Sequence, residues 1–224
     1  MSPLTSSSPG DSSAAAIRCL AEQGYEATTA EDLANAIGVS RSTFFRRFGS
    51  KDDVVFADHD IALAQLESRL GTADDEIAST LAESAAAVLR LLARDPEAAR
   101  LRFELMRDTP ALRDRELVIT HRYERVFAAY LRRALPSETP AWVPASLAAG
   151  VVAVHNTTLR AWLTGDVPDA ARTIEADLAR MISLYDRWLS PGADTAKRRV
   201  LVAVYEAQGS PESVLDAVAR RLDA

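Results

Sequence analysis

The sequence predicts an all-α protein, a small N-terminal head of three helices carried on a larger helical bundle. Three observations predict it. Residues 25–51, YEATTAEDLANAIGVSRSTFFRRFGSK, hold two short cappable segments joined by Gly38-Val39. From Lys51 onward, apolar residues recur at three- and four-residue spacing between Pro and Gly breaks. No stretch alternates with the period of two that a strand requires, and no unit repeats.

The opening MSPLTSSSPGDSS is rich in Ser, Pro and Gly and has no Lys or Arg, so residues 1–11 are expected as a disordered tail. It has neither the charged start nor the apolar stretch of a signal peptide. The first helix is expected near Ser12 or Ser13 and carries AAAIRCLAEQ, with the single cysteine, Cys19, in its apolar pattern. A Thr followed three residues later by an acid then fits a capping box, as Thr28–Glu31 or Thr29–Asp32. Leu33 and Ile37 give the second helix one apolar stripe. Gly38 stands where a left-handed residue ends it, and Ser40 is a good N-cap for the third. At 100° per residue, Phe44 and Phe48 share one face of that helix. Ser42 and Arg46 lie nearly opposite with Thr43 close by, and Arg41, Phe45 and Arg47 flank the two faces.

Ser50 can cap a long helix from Lys51 to about Leu70, ended by Gly71. The pattern continues with helices from about Asp75 to Arg94, from Pro96 to about Arg107, and from Pro110 to about Leu135. Asp95-Pro96 and Thr109-Pro110 each combine an N-cap residue with Pro at the first helical position. Pro136, Pro140 and Pro144 mark a polar loop, followed by helices over about 144–163 and 168–189. After Pro191-Gly192, two short amphipathic helices are expected, KRRVLVAVYEAQ and ESVLDAVARRL. The predicted division is therefore a tail at 1–11, a head at 12–55, a body at 56–192 and a C-terminal extension at 193–224.

Two short helices across a tight turn, the second with arginines outward, are the layout of a helix-turn-helix that sets a recognition helix in the DNA major groove. Between Gly38 and Lys51 there are four basic residues and no acidic one, in a chain of net charge −6 and pI about 5.2. A local positive surface on an acidic protein suits phosphate attraction, which acts over about 10 Å. A solvated basic helix would share the charge, but not these caps and this spacing.

The run GYEATTAEDLANAIGVSRSTFFRRFGSKDDVV, with AAAIRCLAEQ before it, resembles the N-terminal DNA-binding domain of TetR-type transcriptional regulators. The resemblance covers about fifty residues closely and the rest only in its helical architecture. It implies that Thr29 caps onto a phosphate and that Arg41, Ser42 and Thr43 face base edges. Phe45, Arg46, Arg47 and Lys51 would lie along the backbone, with Ser40 at the head of the same helix. Three departures stand out. Phe45 replaces a common Tyr and so removes a phenol hydroxyl from the phosphate contacts. Arg47 replaces another aromatic and supplies a charged donor instead. The usual basic arm before the first helix is missing, so no minor-groove contact is expected from it.

The resemblance further implies a body that dimerises and binds a small effector, most members being repressors. Residues that could line a pocket are Phe103, Met106, Tyr123, Phe127, Tyr130, Val151, His155 and Trp162. A lipophilic ligand is expected; Arg100, Arg102 and Arg107 form a basic run that could favour an anionic ligand such as an acyl thioester, with a solvated helix face as the stronger reading. A partner subunit is expected on Leu147, Val154, Leu178, Met181, Ile182, Tyr185, Trp188 and Leu189, along the last two long helices. Paired heads spaced near one turn of DNA would read a palindromic operator.

The sequence argues against an enzyme. Three histidines lie on different helices, and no HExxH, CxxC, phosphate loop or nucleophile elbow occurs. No metal or cofactor is expected, and no stretch approaches 18 apolar residues, so a cytoplasmic protein is expected. The rival readings are a DNA-binding regulator without a small effector, constitutive or controlled by a protein partner, and, less favoured, a helical enzyme.

Overall fold

A computed structural model of the chain describes residues 9–73 and 76–189, and every regular element among them is a helix. The extension expected at 193–224 lies outside the described residues.

The head comprises α1 (Pro9–Gln23), α2 (Ala30–Ala36), α3 (Arg41–Phe48) and α4 (Lys51–Val55). Here α1 opens at Pro9, earlier than the Ser12 or Ser13 expected, and takes in residues assigned to the tail. The fixed φ of proline suits a first turn. Ser12 and Ser13 are buried inside the helix instead of capping it, and the Ser13 hydroxyl donates to the Val54 carbonyl at 2.9 Å.

The single helix expected from Lys51 to Leu70 is two, α4 and α5 (Ala57–Gly71), broken at Phe56. No Gly or Pro causes the break. Phe56 leaves the helix at φ −104° and ψ 10°, and it is only 2% exposed, so the break coincides with a buried ring. Gly71 closes α5 from inside, with Thr72 beyond it as the cap.

The body continues with α6 (Ile77–Leu92), α7 (Pro96–Asp108), α8 (Pro110–Ala134), α9 (Trp142–Thr164), α10 (Ala170–Ser183) and α11 (Asp186–Leu189). The Asp95 carboxylate caps α7 by accepting the Ala98 N–H at 3.0 Å. With 25 residues, α8 is about 37 Å long. Pro144, expected to open the next helix, sits within the first turn of α9. The helix expected over 168–189 begins at Ala170 and parts at Leu184–Tyr185 into α10 and α11.

One apolar core runs through head and body. Leu63, Leu66 and Leu70 of α5 meet a bundle completed by α6, α8, α9 and α10, with Leu81, Leu131, Leu147, Ile174 and Leu178 closed from solvent. Head and body are also joined by charge. Arg18 of α1 pairs with Asp95 at 2.6 Å and Glu97 at 3.0 Å on α7, and Asp53 of α4 pairs with Arg115 of α8 at 2.5 Å.

Candidate nucleic-acid interface and internal cavity

The turn between α2 and α3 is built by local hydrogen bonds. Thr29 accepts the Asp32 N–H at 3.2 Å, and the Asp32 carboxylate accepts the Thr29 N–H at 2.8 Å, a reciprocal capping box. The Thr29 hydroxyl also donates to Asp32 at 2.6 Å, so the group expected to reach a phosphate is committed within the head. Those bonds to Thr29 hold the Asp32 carboxyl below its ordinary range. Thr28, the other candidate cap, is buried and donates to the Gly24 carbonyl at 2.7 Å.

Gly38 takes φ +71°, the left-handed conformation that lets α2 stop and the chain turn in two residues. Ser40 then caps α3, accepting the Thr43 N–H at 3.2 Å and donating to the Thr43 hydroxyl at 3.0 Å. Phe44 is fully buried and holds α3 to the head, its ring 5.4 Å from that of Phe48.

The opposite side of α3 is open. Arg41, Ser42, Arg46 and Arg47 are exposed, and Phe45 is 42% exposed. None of the three arginines pairs with a carboxylate among the described residues, whereas Arg18, Arg69, Arg94, Arg115 and Arg122 all do. The Arg41 guanidinium stacks over the Phe45 ring at 5.4 Å and that of Arg47 over Phe48 at 5.1 Å. Stacking limits the freedom of these side chains without neutralising them. Lys51 differs. Its ammonium donates to the Tyr25 carbonyl at 2.7 Å and to that of Thr28 at 3.4 Å, 4.0 Å from the centre of the Tyr25 ring. Two of its three protons thus serve the head itself, while the Tyr25 hydroxyl donates to Asp52.

In the body, a cavity of about 50 Å³ lies among α5, α7, α8 and α9, with room for only a few waters. Of the expected pocket residues, Phe103, Met106, Tyr123 and His155 line it. Phe127 faces an adjoining void with Tyr123 and His155, and Tyr130 faces a separate arginine-lined groove. Val151 is fully buried in the core, and Trp162 instead carries the Arg100 guanidinium over its ring at 5.3 Å.

Sequence reasoning missed His59 as a lining group, and it left Arg102 and Asn156 outside the expected pocket set although both line the cavity. Arg102, expected on a solvated face, is 4% exposed beside Asp58, which is 7% exposed. The Asp58 carboxylate accepts from Arg94 at 2.8 Å and lies 3.7 Å from Arg102. Burial raises the Asp58 carboxyl and lowers the Arg102 guanidinium from their ordinary values, outweighing their mutual attraction. The Tyr123 hydroxyl meets His59 Nδ1 at 3.3 Å, and burial holds both His59 and His155 below the ordinary histidine value.

The expected dimer residues divide into two sets. Leu147, Leu178 and Ile182 are buried in the subunit's own core, since apolar spacing marks a buried face without saying which neighbour buries it. Val154, Met181, Tyr185, Trp188 and Leu189 remain partly accessible, and Trp142, 56% exposed, meets Trp188 edge-on at 5.2 Å. Gly150 lets α9 approach α10 here: a Cβ on it would lie 2.9 Å from the Met181 sulfur.

Residues 14–57 match the family model described as bacterial regulatory proteins, tetR family. The chain is 27% identical over 160 residues to MftR of Mycobacterium tuberculosis, named as a mycofactocin biosynthesis transcriptional regulator, covering 70% of this chain and 81% of that one. Among solved structures, the SmeT–triclosan complex superposes with a TM-score of 0.57 at 20% identity, over 91% of this chain and 99% of SmeT. NalD, the secondary repressor of the MexAB-OprM multidrug efflux pump in Pseudomonas aeruginosa, gives 0.53 at 17% identity, over 78% of this chain and 96% of its own. These two structural likenesses establish the shared fold.

Proposed function

We propose that the chain, whose residues 14–57 match the tetR family model and which is 27% identical to MftR over 160 residues, is a DNA-binding transcriptional regulator of TetR type: a homodimeric repressor of a palindromic operator, released by a small molecule bound in its body. The observation that carries the reading is the outer ridge of α3, where Arg41, Arg46 and Arg47 stand exposed, with no carboxylate partner among the described residues, on a chain of net charge −6. Unpaired cations lose no protein partner when they meet phosphate, and their attraction survives the acidic remainder because it acts over short range.

Within this reading Arg41, Ser42 and Thr43 read base edges from the N-terminal half of the recognition helix. Arg46 and Arg47 hold the backbone, and Phe45 packs against the sugar–phosphate edge. Ser40 caps the helix and offers its end to a phosphate. Thr29 and Lys51 shape the head and reach DNA only through what their internal bonds leave free. The partner subunit packs on the outer side of α9 and α10, through Val154, Met181, Tyr185, Trp188 and Leu189. The small, exposed residues Ala149 and Ala153 allow close approach there.

The effector enters the cavity of the body, as triclosan accompanies SmeT. Two linkages support transmission to the head: Arg18 to Asp95 and Asp53 to Arg115. The test is selection from random duplexes by the purified protein. Enrichment of a palindrome bound by two protomers is expected; enrichment of a single half-site, or of nothing, would overturn the operator reading.

A further inference from the structure

Two buried polar groups of the body face one small cavity with their hydrogen-bonding capacity unused. Arg102 is 4% exposed, and its guanidinium makes no hydrogen bond among the described residues. Its nearest acid, Asp58, lies 3.7 Å away and gives its better contact to Arg94 at 2.8 Å. A guanidinium carries five N–H donors, and burying it without acceptors is costly. His155 is 7% exposed; its Nε2 has no partner, and its Nδ1 lies 3.2 Å from Asn156 Oδ1. If the Asn156 amide is turned end for end, its NH₂ donates to Nδ1 and the ring proton moves to Nε2 as a second donor. The remaining wall is largely apolar, with Phe103, Met106, Ile119 and Leu159, and partly exposed Glu116 is the one other acid lining it.

We propose that this cavity is the head-group site for an organic monocarboxylate, which accepts from the Arg102 guanidinium and His155 Nε2 and lays its apolar body against Phe103 and Met106. The proposal rests on the reading of the body as an effector domain and names the ligand class. Asp58 already serves Arg94, so the Arg102 cation lacks a close acceptor and can take a carboxylate. Exposed Arg160, stacked over Phe103, is a second cation in the lining, alongside partly exposed Glu116. An apolar body needs more room than 50 Å³, and the unbranched Met106 side chain is the most adaptable wall. A carboxylate bound to Arg102 competes with Asp58, in the first turn of α5 next to the head. Arg94, the other partner of Asp58, adjoins Asp95, which holds Arg18 of α1.

The experiment uses the full chain, with calorimetric titration and thermal shift by hexanoate and benzoate against hexanamide and benzamide. The acids are expected to bind and raise the melting temperature, with the amides at least tenfold weaker. Arg102→Met should abolish the response. His155→Leu should weaken hexanoate by about tenfold, while His155→Gln, which keeps an N–H donor, should retain more. If Arg102→Met fails to fold, the two His155 variants decide. Equal binding of acid and amide, no binding of either acid, or wild-type affinity in His155→Leu would overturn the carboxylate site. The broader effector reading has its own readout, operator release. A neutral compound that releases the operator while acids do nothing sinks only the carboxylate site. Acids that bind without loosening the operator would uphold the site and count against its role as effector.

Discussion

The outer ridge of α3 and the cavity beneath α7 both present arginines without a close acid, and the difference between them is water. On α3, Arg41, Arg46 and Arg47 remain hydrated, so leaving them unpaired costs little and keeps them available to phosphate. Arg102 is only 4% exposed and has only a distant acid, so the same lack of a partner costs more there, and an incoming anion can relieve that cost. On the proposed reading, the same residue type thus marks a surface suited to a polyanion and an interior suited to a small anion.

The contrast can be broken at its foundation first. Phe44→Ala removes the fully buried ring that ties α3 to the head, and such truncations cost about 3–5 kcal/mol. Operator binding should be lost while most of the body's helical signal by circular dichroism remains; retained binding would mean that Phe44 is not the anchor. Next in size is Arg41→Ala, expected to reduce discrimination between operator and random duplex by about 1–3 kcal/mol. An unchanged ratio in competition titrations would remove Arg41 from base reading.

The interior makes a prediction in pH. Burial lowers the folded-state pKa of His155 below its ordinary 6.5, so below that value the unfolded chain takes up a proton that the folded chain refuses. Stability therefore falls as pH drops through about 6.5 toward the lower folded value, by up to roughly 1.4 kcal/mol per pH unit for this group. His59 shifts in the same direction and adds to the slope. Denaturant melts at pH 7.5 and 5.5 should show the fall, and His155→Leu should make it shallower. An equal slope in the variant would contradict the neutral, buried imidazole.

The smallest effect sharpens the outer surface. Phe45→Tyr adds a hydroxyl to a ring 42% exposed on the ridge and should tighten operator binding a few-fold through one hydrogen bond. No change in titration would place the ring away from the phosphates.

What the sequence disclosed follows the same divide between local and distant causes. The caps at Thr29, Ser40 and Asp95 and the turn at Gly38 are settled within four residues, so they could be read directly. The breaks at Phe56 and at Leu184–Tyr185 carry no Gly or Pro, so no local signal marks them; the Phe56 ring at the first lies buried in the core. Arg102 looked solvated because its acid is Asp58, on another helix far back in the chain. The stripe of Leu147, Leu178 and Ile182 had the right period for burial, but a period cannot distinguish the subunit's own core from a partner. The unpaired arginines of α3 were legible because no acid lies between Gly38 and Lys51, and among the described residues the fold brings none to them.

The most direct test of the account is titration of a selected operator at several salt concentrations, with wild-type protein and with Arg46 and Arg47 both replaced by Ala. Each phosphate contact contributes about 0.9 to the slope of log affinity against log salt, so the double variant should be shallower by about 1.8. A variant slope equal to that of the wild type would contradict the assignment of the α3 ridge as the phosphate-binding surface.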